Sequence, residues 1–342
     1  MRRIVSGSVL AALLWGVSVA SSSDTTHVSL IAFGDVNLGR AVGQELLKGD
    51  LDYPFAQARP LVTSADIVFV NLESQLSEQG GETQHPKYNL IFCGPPEGAK
   101  ALRHFGVTVV STANNHAFDY GLKGLRETID YVTAEGMRYV GTSKDSTELF
   151  APAIIESNGV RVGFVAYTEF VNMKLGWQGR IAVFEEPRVQ REIERLRATV
   201  DVVVASYHGG NEYVDTPHRR TLRNLRLLAE AGADVVIGHH PHVPQGIERH
   251  KGTLIAYSLG NFVFYQPQRH WTQRGFALNV KFRKSLGTTR PVDARIVPLM
   301  AGKQPSPMIL ESERASLLER LQRLSTVPIR QEGEWFRIDL SD

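Results

Sequence analysis

Cysteine is almost missing from this chain: Cys93 is the only one in 342 residues. No intramolecular disulfide can form, and a zinc ribbon, which needs several thiolates, is excluded. A chain of this length buries enough apolar surface to be stable without such staples. Neither sign of charge is in excess. The formal net charge is +2, and removing residues 1–20, which carry Arg2 and Arg3, leaves 36 basic and 36 acidic residues. A neutral chain offers no general electrostatic case for nucleic acid. Phosphate-cradling glycine loops are also lacking. No GxGxxG follows a strand-like run and no Walker lysine loop occurs, so nucleotide binding by either route is unsupported. Internal repeats and low-complexity tracts are absent.

The N terminus has its own pattern. Met1-Arg2-Arg3 is a short basic start, and residues 9–20 are apolar apart from Gly16 and Ser18. That run is too short to span a bilayer comfortably. Ser18 and Ala20 put small residues at the −3 and −1 positions of a cleavage site, and polar Ser21–Asp24 follow. This is the pattern of a secretory signal peptide, with an uncleaved membrane anchor as the alternative. No cysteine follows the run, so a lipoprotein anchor is excluded. The twin arginine lacks the rest of a twin-arginine export pattern. The chain is therefore expected to be exported, to the periplasm or the outside, or to stay membrane-associated through its N terminus.

Beyond the leader, strand-like and helix-like stretches alternate. Apolar strands are predicted at residues 27–33, 66–70, 107–110, 160–166, 201–205 and 233–237, with helices at 122–135, 187–199 and 221–231. Short, nearly continuous apolar strands separated by helices indicate an α/β layered fold with buried strands. From residue 254 the character changes. Residues 254–264, 275–282 and 294–300 read as consecutive strands. A proline-rich stretch at 298–307 then leads to a helix at 311–324 and a short strand at 335–340.

The polar residues that carry chemistry sit just after the apolar strands: Asp35, Glu73, Asn115 with His116, His208, and His240 with His242. Sites in open α/β sheets form outside the carboxyl ends of the strands, so these positions can converge. Singly, each has a bland explanation. Gly34-Asp35 suits a turn or cap, and Glu73 suits a solvated strand end. His208 precedes Gly209-Gly210, which permits an open loop. Asn114-Asn115-His116 is harder to dismiss, because polar groups at the end of a buried strand need partners. In Gly238-His239-His240-Pro241-His242, three histidines fall within four positions. If that segment is extended, His240 and His242 point to one side and His239 faces away, with Pro241 stiffening the arrangement. Oxygen and imidazole ligands without thiolate suit Mn²⁺, Fe or Zn²⁺. A carboxylate able to bridge two ions, flanked by His and Asn, is what a two-metal hydrolytic site requires.

The same residues carry a resemblance. Six motifs occur in order: Gly34-Asp35-Val36-Asn37-Leu38-Gly39-Arg40, Asn71-Leu72-Glu73, Ala113–Gly121, His208–Tyr213, Gly238–Val243 and Ser258–Phe262. The chain resembles the CapA/PgsA family of capsule and poly-γ-glutamate synthesis proteins over roughly residues 28–264. That family is similar to calcineurin-like metallophosphoesterases, which implies a four-layered αββα sandwich for residues 26–300, with 301–342 as a C-terminal extension packing on it. The resemblance implies that Asp35 is a first-metal ligand and that Glu73 stands where a bridging aspartate normally sits. Asn115, His208 and His240 would serve the second metal, with His242 reaching the first. His116 would be the acid that protonates a leaving group, beside Asn115. Asn37, Arg40, Asn114, Glu212 and Asn261 are the candidates for holding substrate. Asn37 replaces the usual histidine of an Asp-x-His motif and Glu73 is longer than aspartate, so the cofactor expected is one or two divalent ions.

Two functions follow as expectations. One is a metal-dependent hydrolase acting on an envelope polymer or its phosphorylated precursor, through a phosphoester or an amide bond. The other is a non-catalytic subunit that binds the anionic polymer beside a membrane synthase or exporter. Neither involves nucleic acid. For the leader, mass spectrometry of the cellular protein should find Ser21 as the first residue. Met1 or Arg2 at that terminus would refute cleavage after Ala20 and favour the anchor.

Overall fold

The computed structural model describes residues 25–341, so the leader assigned to residues 1–20 lies outside the described residues. Two sheets face each other. In the larger, strand Thr26–Val36 pairs in parallel with Ile67–Leu72, which pairs with Val109–Ser111 and then Arg138–Val140. On its other side, Thr26–Val36 runs antiparallel to Arg274–Ser285, which pairs with Thr288–Met300. In the smaller sheet Val160–Thr168, Val202–His208, Val235–His239 and Thr253–Ala256 are parallel neighbours. Antiparallel edges are added there by Ala153–Ser157 and Ile247–His250.

Side-chain alternation along each strand generates the layers. Val28, Leu30 and Ala32 point between the sheets and meet Val162, Phe164, Val204 and Ile237. Phe69 and Phe164 stack across that interface at 5.8 Å. The alternate residues Ile31 and Phe33 point outward, under helices Arg40–Leu47 and Glu97–Phe105. Val203, Ala205 and Val236 point outward on the other side, under helices Glu186–Arg197 and Arg219–Glu230. Helix, sheet, sheet and helix therefore stack as a four-layered α/β sandwich. Both sheets are covered on both faces, which is why their strands read as apolar runs.

Most predicted elements fall where expected, within a few residues. Residues 254–264 do not. The strand ends at Ala256, and the chain then turns across the strand ends. Gly260 has φ of 74°, a left-handed conformation incompatible with a continuous strand. This turn is pressed against two strand ends. A Cβ on Gly34 would lie 1.8 Å from the Gly260 carbonyl oxygen, and one on Gly238 would lie 2.0 Å from that of Tyr257. The contact is sealed by Asp35 N–H donating to Gly260 O (3.1 Å) and Phe262 N–H donating to Asp35 O (2.9 Å).

Residues beyond 300 take part in the same core. Strand Trp335–Ile338 extends the larger sheet beside Thr288–Met300, with Ile329–Glu332 outside it. Leu317 and Leu321 of helix Glu311–Leu324 join the intersheet cluster. Arg320 fastens this helix to the histidine loop: its Nε donates to Pro244 O (2.9 Å) and its guanidinium to Asp215 Oδ1 (2.8 Å). It is 2% exposed. Truncating Arg320 leaves the Pro244 carbonyl without its buried charged donor and takes one of two partners from Asp215, so Arg320→Met should lower unfolding free energy by about 2–3 kcal/mol. Arg323→Ala, which removes an exposed partner of the same Asp215, should cost under about 1 kcal/mol. Denaturant unfolding compares the two, and equal losses would refute the fastening role.

Candidate metal centre

The centre forms where the parallel strands end. Asp35 is the penultimate residue of its strand, Glu73 follows Leu72, His208 closes its strand and His240 follows His239. Strand register sets Asp35 beside Asn71 and His208 beside His239. All of these residues are buried.

Two triads of ligand atoms lie together, Asp35–Glu73–His242 and Glu73–His208–His240, with the atoms of each triad within 4.8 Å of one another. Glu73 belongs to both. Neither of its carboxylate oxygens has a hydrogen-bond partner among the described residues. Oε1 lies 3.6 Å from His208 Nε2 and 3.8 Å from His242 Nε2. These distances are too long for hydrogen bonds, but a shared cation fits between the groups. Asn115 Oδ1 joins the second triad, 2.7 Å from His208 Nε2. The donor set is oxygen and imidazole nitrogen, and buried carboxylates with vacant lone pairs are costly unless a cation accompanies them. The site thus fits one or two divalent ions.

The electrostatics point the same way. Burial, reinforced by Asp35, Glu212 and Asp119, pushes the Glu73 carboxyl well above its usual range. Burial also pulls His208 well below its usual value, helped by His240. His240 is drawn down to about 3 by burial and by His242. Both rings are therefore neutral, the form that binds a metal. Burial would raise Asp35, but contacts with His239 and His242 outweigh it and hold the carboxyl well below its usual range.

The histidine segment is not extended, which corrects one expectation. His240 and His242 have φ of 96° and 58°, both in the left-handed region. They converge because the backbone turns, with ring centroids 6.0 Å apart, and not through the period of a strand. Non-glycine residues held in this way mark local strain, which concentrates at functional sites. His239 does not face away. It ends its strand pointing between the sheets, and its Nδ1 is 3.2 Å from Asp35 Oδ1. Asn71 donates to the same oxygen at 2.8 Å. His242 Nδ1 lies 3.3 Å from the other oxygen, Oδ2. His239 and Asn71 thus brace one oxygen of Asp35 and leave the other toward the centre.

The remaining candidates divide. Asn261 Oδ1 is 2.9 Å from His242 Nδ1, and its amide donates to Gln266 and Thr272, so it orients that ring. Asn114 is a strut: its amide donates to Leu72 O (2.8 Å) and its oxygen accepts from His116 N–H (3.1 Å). Asn37 accepts from Gly39 N–H at 2.9 Å, so its oxygen is committed to a turn. Arg40 stacks over Phe92 at 4.8 Å. Glu212 lines a cavity of about 700 Å³ in front of the centre, with Asn115, His116, Phe170, Asn172 and His240.

Asp119 is a residue that sequence reasoning missed. Its Oδ2 lies 2.7 Å from His116 Nδ1 and accepts the Phe92 N–H at 2.7 Å. The His-x-x-Asp spacing was visible, but nothing local shows that the turn after residue 116 folds Asp119 back onto the ring. Phe92, which stacks on His116 at 4.0 Å, comes from a distant loop and had no sequence signal.

A buried oxygen and imidazole cluster at the strand ends of a four-layered sandwich defines a class of α/β proteins with a metal-type centre. The sequence profile described as "Bacterial capsule synthesis protein PGA_cap" matches residues 29–266, and the chain belongs to that family. It is 30% identical over 310 residues to "Capsule biosynthesis protein CapA" of Bacillus anthracis, covering 85% of this chain and 73% of that protein. It is 31% identical over 282 residues to "PGA biosynthesis protein CapA" of Bacillus subtilis, covering 80% and 72%. A "Probable polyglutamine synthesis accessory protein" of Mycobacterium tuberculosis is 26% identical over 250 residues, covering 68% and 65%.

Metal removal tests the centre. Mn²⁺ at 100 times its dissociation constant should stabilise the fold by about 2.7 kcal/mol relative to protein in chelator. In Glu73→Gln most of that gain should vanish, because both triads lose a ligand. Melting curves that ignore both chelator and Mn²⁺ would remove the metal from this site.

Proposed function

We propose that this chain is an exported, metal-dependent hydrolase of capsule or poly-γ-glutamate biosynthesis, acting on an envelope polymer or its phosphorylated precursor. The observation that supports it is the pairing of two ligand triads sharing Glu73 with an imidazole–carboxylate pair in the same cavity. A binding module has no need of such a pair. When bound, divalent ions would activate water and stabilise the attacking and leaving oxygens. Asp35, Glu73 and His242 would hold one ion, and Glu73, Asn115, His208 and His240 the other.

The chain's own groups supply the proton chemistry. Asp119 accepts from His116 Nδ1–H, which fixes the tautomer and leaves Nε2 to carry the exchangeable proton. The Phe92 N–H holds Asp119 in place, and the Phe92 ring covers one face of the imidazole. Nε2 would donate that proton to the leaving oxygen or nitrogen. Asn172 Nδ2, 3.5 Å from the ring nitrogens, stands at the cavity side of the pair. A second reading is a non-catalytic accessory to a membrane synthase, favoured by the word "accessory" in the name of the mycobacterial relative.

His116→Ala should keep its metal and lose turnover by about 10²- to 10⁴-fold. The loss should be smaller on a nitrophenyl ester than on an alkyl ester, because a good leaving group needs less protonation. His240→Ala should lose metal and activity together. Metal analysis and rates on both esters decide. If His116→Ala strips the metal, or slows both esters equally, His116 is not the acid. If the wild type with Mn²⁺ turns over neither ester nor an envelope amide, the accessory reading replaces the enzyme.

A further inference from the structure

Beside the metal cavity lie two adjoining grooves of about 520 and about 230 Å³. Arg40, Gln84 and Tyr265 line both of them, and Leu90 is common to the larger groove and the metal cavity. Among the described residues, no carboxylate lines either groove, although acidic and basic residues balance in the chain as a whole. Three cations do line them, and each sits on an aromatic ring. Arg40 lies over Phe92 (4.8 Å), Arg269 over Tyr213 (4.7 Å) and Lys303 over Tyr265 (4.8 Å).

Among the described residues none of the three forms an ion pair with a carboxylate, although Glu212 bonds the Tyr213 hydroxyl, and like charges gathered in this way repel one another until anions enter. The rings hold the cations in place through cation–π attraction. Arg40 spends one N–H on the Asn89 carbonyl, and the in-plane donors that remain on a guanidinium held over a ring suit a carboxylate. Arg269 lines the larger groove, Lys303 the smaller and Arg40 both, so an anion seated in either groove meets two of the three cations. A chain bearing repeated anionic groups can meet all three.

Two of the three rings neighbour the centre. Phe92 stacks on His116, and the Tyr213 ring lies 6.1 Å from that of His242. Gln266 donates to the Tyr213 hydroxyl and accepts from Asn261, the residue that orients His242. The larger groove and the metal cavity thus adjoin at Leu90, beside these rings.

We propose that the Arg40–Arg269–Lys303 groove is a binding track for an extended polycarboxylate strand and delivers that strand to the metal cavity. This extends the reading of the cavity by naming what reaches it, and the binding half does not require turnover. The test uses the full chain with fluorescently labelled poly-γ-glutamate, followed by anisotropy across a salt series. Wild-type binding should weaken as salt rises. Arg269→Gln combined with Lys303→Gln should weaken it at least tenfold at low salt and flatten the salt dependence, with melting temperature and bound metal unchanged. Binding should persist in chelator. Glutamate monomer or inorganic phosphate at equal charge concentration should not displace the strand. Unchanged binding in the double variant overturns the proposal, as does loss of binding in chelator, which would put the polymer on the metal. Displacement by monomer or phosphate would reduce the groove to a single-anion site and overturn it too. A wild type that hydrolyses nothing while the double variant still loses the strand would sink the hydrolase and leave the track standing.

Discussion

Glu73 is buried with neither oxygen hydrogen-bonded, and two ligand triads share it. A charged carboxylate in that position is tolerable only with a positive partner, and a neutral one leaves polar atoms unsatisfied. Much of the surrounding structure follows from this condition. The strands on either side stop at one level, so that Asp35, His208 and His240 surround the carboxylate. The turn at Ser258–Phe262 closes the gap between the sheets, and Gly34 and Gly238 lack the Cβ atoms that would keep it out.

Around that carboxylate the protein separates holding from reacting. Asn71, His239, Asn114 and Asn261 are spent on orienting other groups: two brace Asp35, one ties Leu72 to His116, and one aligns His242. Such partners fix the direction of ligand atoms before any ion arrives, and they matter for affinity almost as much as the ligands. His116 faces the cavity with its own carboxylate behind it. The left-handed backbone at His240 and His242 is the strain that this packing sustains.

Membership of the capsule synthesis family and the α/β sandwich agree with each other, because the family match ends at residue 266, just past the turn that seals the centre. The later residues complete the intersheet core through Leu317, Leu321 and Phe336. They also contribute Arg269 and Lys303 to the acid-free groove, so the surface beside the centre is built partly outside the matched region.

By itself the sequence determined the alternation of strands and helices, the layered class and the polar residues at the strand ends. Burial on both faces writes itself into composition as apolar runs, and a site at strand ends places its residues directly after them. The ordered motifs carried the family. Tertiary structure alone decided what each polar residue faces. Periodicity assumed an extended chain at residues 239–242, and the left-handed turns there brought His239 onto Asp35 instead of away from it. The run at 254–264 looked like one strand because its residues are apolar for a different reason: past the strand end, Leu259 fills the intersheet cluster while Phe262 and Val263 pack beside Phe33 under the outer helices. Asp119 against His116, Phe92 beneath Arg40 and Tyr213 beneath Arg269 are contacts set by chain crossings. No local pattern encodes which side chains from separate loops meet, because that is fixed only when the two sheets close on each other.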